Sequence, residues 1–304
     1  MNIAILGAGA MGCLFAGRLL GAGADVKMFD INNEVLEKLN RHGIGVLSDE
    51  ESRCQYPVAA LRAEDSRSHF DLILVFTKAF STAAAMASVK HLLGPDTYVL
   101  TLQNGLGHVD EIAAWVAPSR LLVGVTDIPA DLAAIGEVHT RNAGGVRFWS
   151  QDGEHRRMLK LVSELFTRAG LPCIADPEVQ VAIWHKAAFN AALNALCTVL
   201  RQPVGRLGQS EDGRWLATKV IEESSRVALA LGIEFDTATV LASVEQVYTQ
   251  QADHRPSMLQ DRLAGRASEI ENINGAILKL AREQGLAVPV LESLYRLVRM
   301  GEPG

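Results

Sequence analysis

In the run from Trp184 to Asn194, Lys186, Asn190 and Asn194 stand at i, i+4 and i+8. On a helix that spacing puts an ammonium and two amides on one stripe. Ala187, Ala188, Phe189, Ala191, Ala192 and Leu193 fill most of the other positions with apolar surface. A helix apolar on most sides is buried, and burying a lysine with two amides costs several kcal/mol unless polar partners are supplied. A solvated stripe would be better served by Glu or Gln than by Asn and Ala. A lysine lining a polar cleft can hydrogen-bond a ketone oxygen, polarise it and deliver a proton as reduction proceeds, so Lys186 is the candidate general acid.

A second constellation lies near the start of the sequence. Gly7, Ala8, Gly9, Ala10, Met11 and Gly12 form a G-x-G-x-x-G loop directly after the apolar run Asn2–Leu6 and before an Ala/Leu-rich stretch. Glycines there allow a tight turn and a close approach to a pyrophosphate, which the following helix N-terminus meets with free N–H groups and its dipole. The motif alone is weak, but the strand–turn–helix context strengthens it. Asp30, where the next β-rich run ends, supplies a carboxylate for adenosine ribose hydroxyls and repels a 2′-phosphate, which favours NADH over NADPH. Lys27, three positions earlier on the strand, points to the other face.

Two positions mark the carboxyl edge of the same sheet, where doubly wound folds bind ligands. Asn104 follows the run 98–102 and precedes Gly105; Lys78 follows the run 72–76 and could reach cofactor or substrate. Further along, Ser257 opens a Ser-Met-Leu-Gln-Asp run and Glu269 lies within Ser-Glu-Ile-Glu-Asn-Ile-Asn-Gly. Ser268 and Glu271 have the spacing of a capping box, which leaves Glu269 to point inward toward a substrate.

The elements that must position these groups fall into two kinds. β-rich runs at 2–6, 25–29, 72–76, 98–102 and 121–125 alternate with helical stretches such as 12–21 and 34–41, the pattern of a parallel doubly wound sheet. The runs 136–140 and 145–149, joined by Arg141 to Gly144, read as a hairpin at the sheet's far edge. After Asp176-Pro177 the pattern turns helical, with a long helical stretch at 260–282. At 304 residues two domains are expected: a Rossmann dinucleotide-binding domain over 1–172 and an all-α domain over 173–304. The fold class is thus α/β with an all-α C-terminal part.

A formal net charge of -6 argues against a nucleic-acid partner. The four cysteines, Cys13, Cys54, Cys173 and Cys197, show no metal-ligand spacing and read as reduced thiols, with no metal expected. No apolar run approaches the roughly 20 residues of a membrane span. The chain opens on a strand without a basic leader, so a cytoplasmic location is expected.

Together Gly7 to Gly12, Thr77-Lys78, Asn104-Gly105, Lys186 with Asn190 and Asn194, Ser257 to Asp261, and Glu269 to Gly275 resemble the ketopantoate (2-dehydropantoate) reductase family over essentially the whole chain. The resemblance implies hydride transfer from NAD(P)H to ketopantoate, giving (R)-pantoate on the route to pantothenate and coenzyme A. It implies Lys186 as general acid and Glu269 as the group that binds and orients substrate. Asn104, Asn190, Asn194 and Ser257 would be substrate contacts, and the protein a homodimer whose helical part binds substrate and dimerises. Asp30 departs from the basic residue most members carry there. It shifts weight toward NAD-dependent D-2-hydroxyacid dehydrogenases acting on other bulky 2-keto acids, mandelate dehydrogenase-like. A different class, a non-catalytic NAD(P)-sensing protein, would need the glycine loop but neither Lys186 nor Glu269.

Overall fold

Ile3 to Leu6 and Leu72 to Val75 are buried at every position, the signature of strands covered on both faces, which in turn demands helices above and below a parallel sheet. The computed structural model describes residues 1–49, 53–141 and 143–303. The chain divides into two compact units, one of Met1–Gln103 with His108–Val179, the other of Asn104–Gly107 with the residues from Gln180 onward.

Among the described residues the first unit carries twelve strands: β1 (Asn2–Leu6), β2 (Asp25–Phe29), β3 (Ile44–Ser48), β4 (Cys54–Tyr56), β5 (Ala59–Leu61), β6 (Leu72–Val75), β7 (Tyr98–Thr101), β8 (Leu121–Thr126), β9 (Ala130–Ala134), β10 (Glu137–Thr140), β11 (Val146–Ser150) and β12 (Cys173–Ala175). Its helices are α1 (Ala10–Gly21), α2 (Asn33–His42), α3 (Thr82–Val89), α4 (His108–Ala113) and α5 (Arg157–Arg168). The main sheet has the order β12-β11-β8-β7-β6-β1-β2-β5, with the pairs from β5 through β8 parallel. The chain thus builds outward from β1 in one direction through β2 and β5, then in the other through β6, β7 and β8. The direction changes between β1 and β6, where doubly wound sheets open a crevice beyond the strands' carboxyl ends. β12 lies beyond residue 172 and pairs in parallel with β11, so the sheet continues past that point.

The expected hairpin between 136–140 and 145–149 is not formed. β10 pairs with β9 and β3 in a second sheet of order β4-β3-β10-β9, whereas β11 runs antiparallel to β8 in the main one. The physical reason is packing. Val138 joins Val46 and Leu39 in the core. Phe148 lies so close to Gly124 that a Cβ there would be 2.7 Å from its own, a fit only glycine allows. Asn142, in the intervening turn, lies outside the described residues.

The second unit is helical: α6 (Val179–Leu200), α7 (Val204–Gly208), α8 (Glu211–Ala230), α9 (Thr237–Gln250), α10 (Ser257–Leu263), α11 (Ala276–Glu283) and α12 (Pro289–Arg299), with a π-helical turn at Glu271–Gly275. Its separate core gathers Ala191, Leu196, Val220, Ile221, Ile277, Leu291, Leu294 and Val298. The stretch 260–282 is not one helix. α10 stops at Leu263, Gly265 takes φ +66, and the chain resumes through the π turn. Among the described residues no helix is long and apolar enough to cross a membrane.

Candidate active site

The glycine loop is built by steric exclusion at two positions and by openness at the third. Gly7 has φ +96, and a Cβ on it would meet the Thr77 nitrogen at 2.9 Å; one on Gly12 would lie 1.9 Å from the Gly7 carbonyl oxygen. A Cβ on Gly9 would meet nothing within 4 Å. That empty side is where a bulky anion can come against the backbone. Gly9 is the N-cap of α1, no side chain caps it, and the first turn carries no acidic residue. The orphan N–H groups and the dipole therefore remain available to a phosphate, and the loop fits a dinucleotide pyrophosphate.

Asp30 has a structural task that its place at the end of β2 did not announce. Its Oδ2 accepts the Ala8 N–H at 2.9 Å and its Oδ1 the Asn32 N–H at 2.9 Å, so it ties the glycine loop to the turn opening α2. Ionised carboxylate oxygens have lone pairs to spare for ribose hydroxyls. Arg62 braces the same turn through the Ile31 carbonyl at 2.8 Å and Asn33 Oδ1 at 2.8 Å and 3.0 Å. Thr77 and the half-buried Lys78 follow β6 beside Gly7. Gln103, buried at the end of β7, fixes their backbone by donating to the Thr77 carbonyl at 2.7 Å and to Thr82 at 2.9 Å, while Thr101 donates to it at 3.0 Å.

In the helical unit Lys186, Asn190 and Asn194 share one stripe of α6. Asn190 and Asn194 are only 8% and 5% exposed, and Lys186 is half-buried. The neighbouring His185 is committed elsewhere. Its Nε2 accepts the Asp236 N–H at 3.0 Å, its ring lies edge-on to Phe235, and burial lowers its pKa against the pull of Asp236. Asn104, although it follows a strand of the first unit, belongs with Gly105, Leu106 and Gly107 to the helical one. The tie is a hydrogen bond of 2.7 Å from the Leu106 N–H to the Asn272 carbonyl in the π turn. A π turn shifts carbonyls off the α ladder, and such turns recur at functional sites. From the same turn the fully buried Asn274 donates to the Ala191 carbonyl of α6 at 2.9 Å. Glu269, 7% exposed, starts this segment, its carbonyl accepting from Asn272 and Ile273. Ser257 is exposed at the start of α10.

The capping box expected of Ser268 and Glu271 is replaced. Glu271 accepts from Tyr295 at 2.7 Å and pairs with Arg299 at 2.8 Å, both on α12. Cys13, Cys54, Cys173 and Cys197 are thiols, not disulfides. Burial pushes the Cys13, Cys173 and Cys197 thiols up to about 12, helped at Cys13 by the Asp30 charge, so none supplies a thiolate near neutrality. Among the described residues no group of three or more His, Cys, Asp or Glu is placed to hold a metal ion.

Residues 3–152 match the family described as Ketopantoate reductase PanE/ApbA, and residues 178–302 match its C-terminal counterpart. The chain belongs to the ketopantoate reductase family. The 2-dehydropantoate 2-reductase of Streptococcus pyogenes serotype M3 is 31% identical over 303 residues, covering 99% of this chain and 98% of that protein. Among solved structures, D-mandelate dehydrogenase with NADH and anilino(oxo)acetate superposes with TM-score 0.94 at 29% identity, covering 99% and 98%. The 2-dehydropantoate 2-reductase from Geobacter metallireducens GS-15 superposes with TM-score 0.91 at 28% identity, covering 99% of each chain. The ketopantoate reductase fold therefore extends through both units. Of the residues that brace the main chain around these candidates, Asn272 and Asn274 lie inside the Glu269–Gly275 motif, while Gln103 belongs to no motif. Gln103 and Asn274 act on backbone carbonyls and Asn272 through its own, and a main-chain bond leaves no trace in residue type.

Proposed function

We propose that this member of the ketopantoate reductase family is a 2-dehydropantoate 2-reductase, reducing the C2 carbonyl of ketopantoate to (R)-pantoate. A bound nicotinamide dinucleotide supplies the hydride that C2 accepts. The loop from Gly7 through Ala8, Gly9, Ala10 and Met11 to Gly12 holds the pyrophosphate at the α1 N-terminus, and Lys78 lies on the turn beside it. Lys186 donates a hydrogen bond to the carbonyl oxygen and then the proton that completes the alcohol. Asn104, Asn190, Asn194 and Ser257 bind the substrate's carboxylate and hydroxyl, and Glu269 orients it. The carrying observation is the stripe of Lys186, Asn190 and Asn194 on a helix whose other faces are core, with both amides at least nine-tenths buried. Such burial is costly without a polar task.

NADH is the proposed dinucleotide. The Asp30 carboxylate is fixed in place by two N–H groups, and the Arg62 guanidinium at that turn is engaged by Ile31 and Asn33. A 2′-phosphate would face a held negative charge. The same observation, with the likeness to an NADH-bound D-mandelate dehydrogenase, favours as a second reading a D-2-hydroxyacid dehydrogenase for other bulky 2-keto acids. One panel tests both: ketopantoate, phenylglyoxylate and 2-ketoisocaproate, each with NADH and NADPH, for the native enzyme and Lys186→Ala. Ketopantoate with NADH should give the highest kcat/KM, and Lys186→Ala should cut kcat by roughly 10²–10⁴-fold. Faster turnover of phenylglyoxylate selects the second reading. Undiminished turnover by the variant removes Lys186 as the acid.

A further inference from the structure

Glu269 is proposed above to orient substrate, and what holds it is not the helix start its own sequence suggests. A capping box needs an acid three residues after the cap to reach back to the cap residue's N–H. Glu271 does not do this, being drawn to Tyr295 and Arg299. Instead Glu302, in the turn after α12, takes that place. One of its carboxylate oxygens accepts the Ser268 N–H at 2.9 Å and the other the Ser268 hydroxyl at 2.8 Å. The same hydroxyl oxygen accepts the Ile270 N–H at 3.3 Å. Ser268 is itself buried, and Glu302 is anchored by its own N–H to the Arg299 carbonyl at 3.0 Å.

Glu269 is therefore clamped on both sides. Its predecessor is gripped at two atoms by one carboxylate, and its own carbonyl begins the turn that carries Asn272. Charge-assisted bonds of this two-point kind fix direction as well as distance. Arg262 extends the link, donating to the Val298 carbonyl at 3.2 Å, so the end of α10 is tied to the end of α12 as well.

We propose that Glu302 is a positioning residue for the reaction, holding Ser268 so that the Glu269 carboxylate meets the substrate at the required angle. The inference rests on the reading of Glu269 as a substrate-orienting group. A side chain displaced by about an ångström in such a site costs on the order of tenfold or more.

The test compares Glu302→Ala, Glu302→Gln, Ser268→Ala and Glu269→Gln in the full chain, with ketopantoate and NADH. Glu302→Ala should lower kcat/KM for the keto acid about tenfold, with the NADH dissociation constant from fluorescence titration unchanged. Glu302→Gln, which keeps one acceptor, should retain most of the activity and serves if the alanine variant folds poorly. Ser268→Ala combined with Glu302→Ala should cost less than the sum of the two, as expected of side chains that share a contact. Native kinetic constants in both Glu302 variants, even with a lowered melting temperature, overturn the proposal, as does equal weakening of NADH. If Glu269→Gln leaves turnover unchanged, the site assignment itself falls and takes the proposal with it. If Glu269→Gln cripples turnover while both Glu302 variants are normal, only the positioning role is lost.

Discussion

Gly105 holds φ +86, and a Cβ there would lie 2.3 Å from the Asn272 carbonyl oxygen that accepts the Leu106 N–H. Gly105→Ala thus strains the backbone by about 1–2 kcal/mol and pushes the Asn104 loop off the π turn. The expected outcome is a fall of roughly 10–100-fold in kcat/KM for the keto acid, with NADH affinity intact. Steady-state kinetics with a cofactor titration would read this, and native constants would show that Asn104 needs no such anchor. At this scale much was legible. The glycine loop, Asp30 and the stripe on α6 stand out as candidates because the chemistry they suggest resides in side-chain type and spacing. Gln103 and Asn272 do not, since what matters is which carbonyl each one engages or offers.

Among elements, α12 shows how a helix start can depend on a residue far away. It begins at Pro289 without a local side-chain cap. The buried Glu223 of α8 supplies one, accepting the Val290 N–H at 3.1 Å and the Leu291 N–H at 2.8 Å across 67 and 68 residues. Glu223→Ala should therefore destabilise the helical unit by about 1–3 kcal/mol, read as a lower urea midpoint. An unmoved midpoint would mean that water replaces the carboxylate without loss. The same kind of long-range choice governs strand pairing. The parallel strands β1, β2, β6, β7 and β8 were readable as apolar runs between helices. The partners of β10 and β11 were not, because a strand's alternation names its buried face and leaves open which edge it joins. Likewise the stretch 260–282 has helical composition throughout, yet Gly265 and the π turn divide it to serve contacts with α6 and α12.

For the molecule as a whole, His108 makes stability depend on pH. Burial pushes it down from the usual 6.5 to about 4, and its Nδ1 has no hydrogen-bond partner. The folded chain keeps this imidazole neutral, whereas the unfolded chain takes up a proton below about 6.5. Stability is then full above that pH and lost as pH falls toward 4, with a slope of up to about 1.4 kcal/mol per pH unit for one proton. In His108→Asn the free energy of unfolding should lose that slope across the same window. Denaturant curves at several pH values would measure it, and parallel slopes in native and variant protein would assign the acid sensitivity to other groups.

Residue types and their spacing were enough to determine that a glycine-rich loop joins the first strand to the first helix, that a parallel sheet follows, and that a polar stripe runs along an otherwise apolar helix. These are local properties, decided within one or two turns of backbone. Tertiary structure alone decided that Asn104–Gly107 sits with the helical unit, that β10 leaves the main sheet, and that Glu302 rather than Glu271 holds Ser268. Each is a competition between partners distant along the chain. Such contests are settled by which side chains are already packed within hydrogen-bond reach, and that information exists only once the chain has folded.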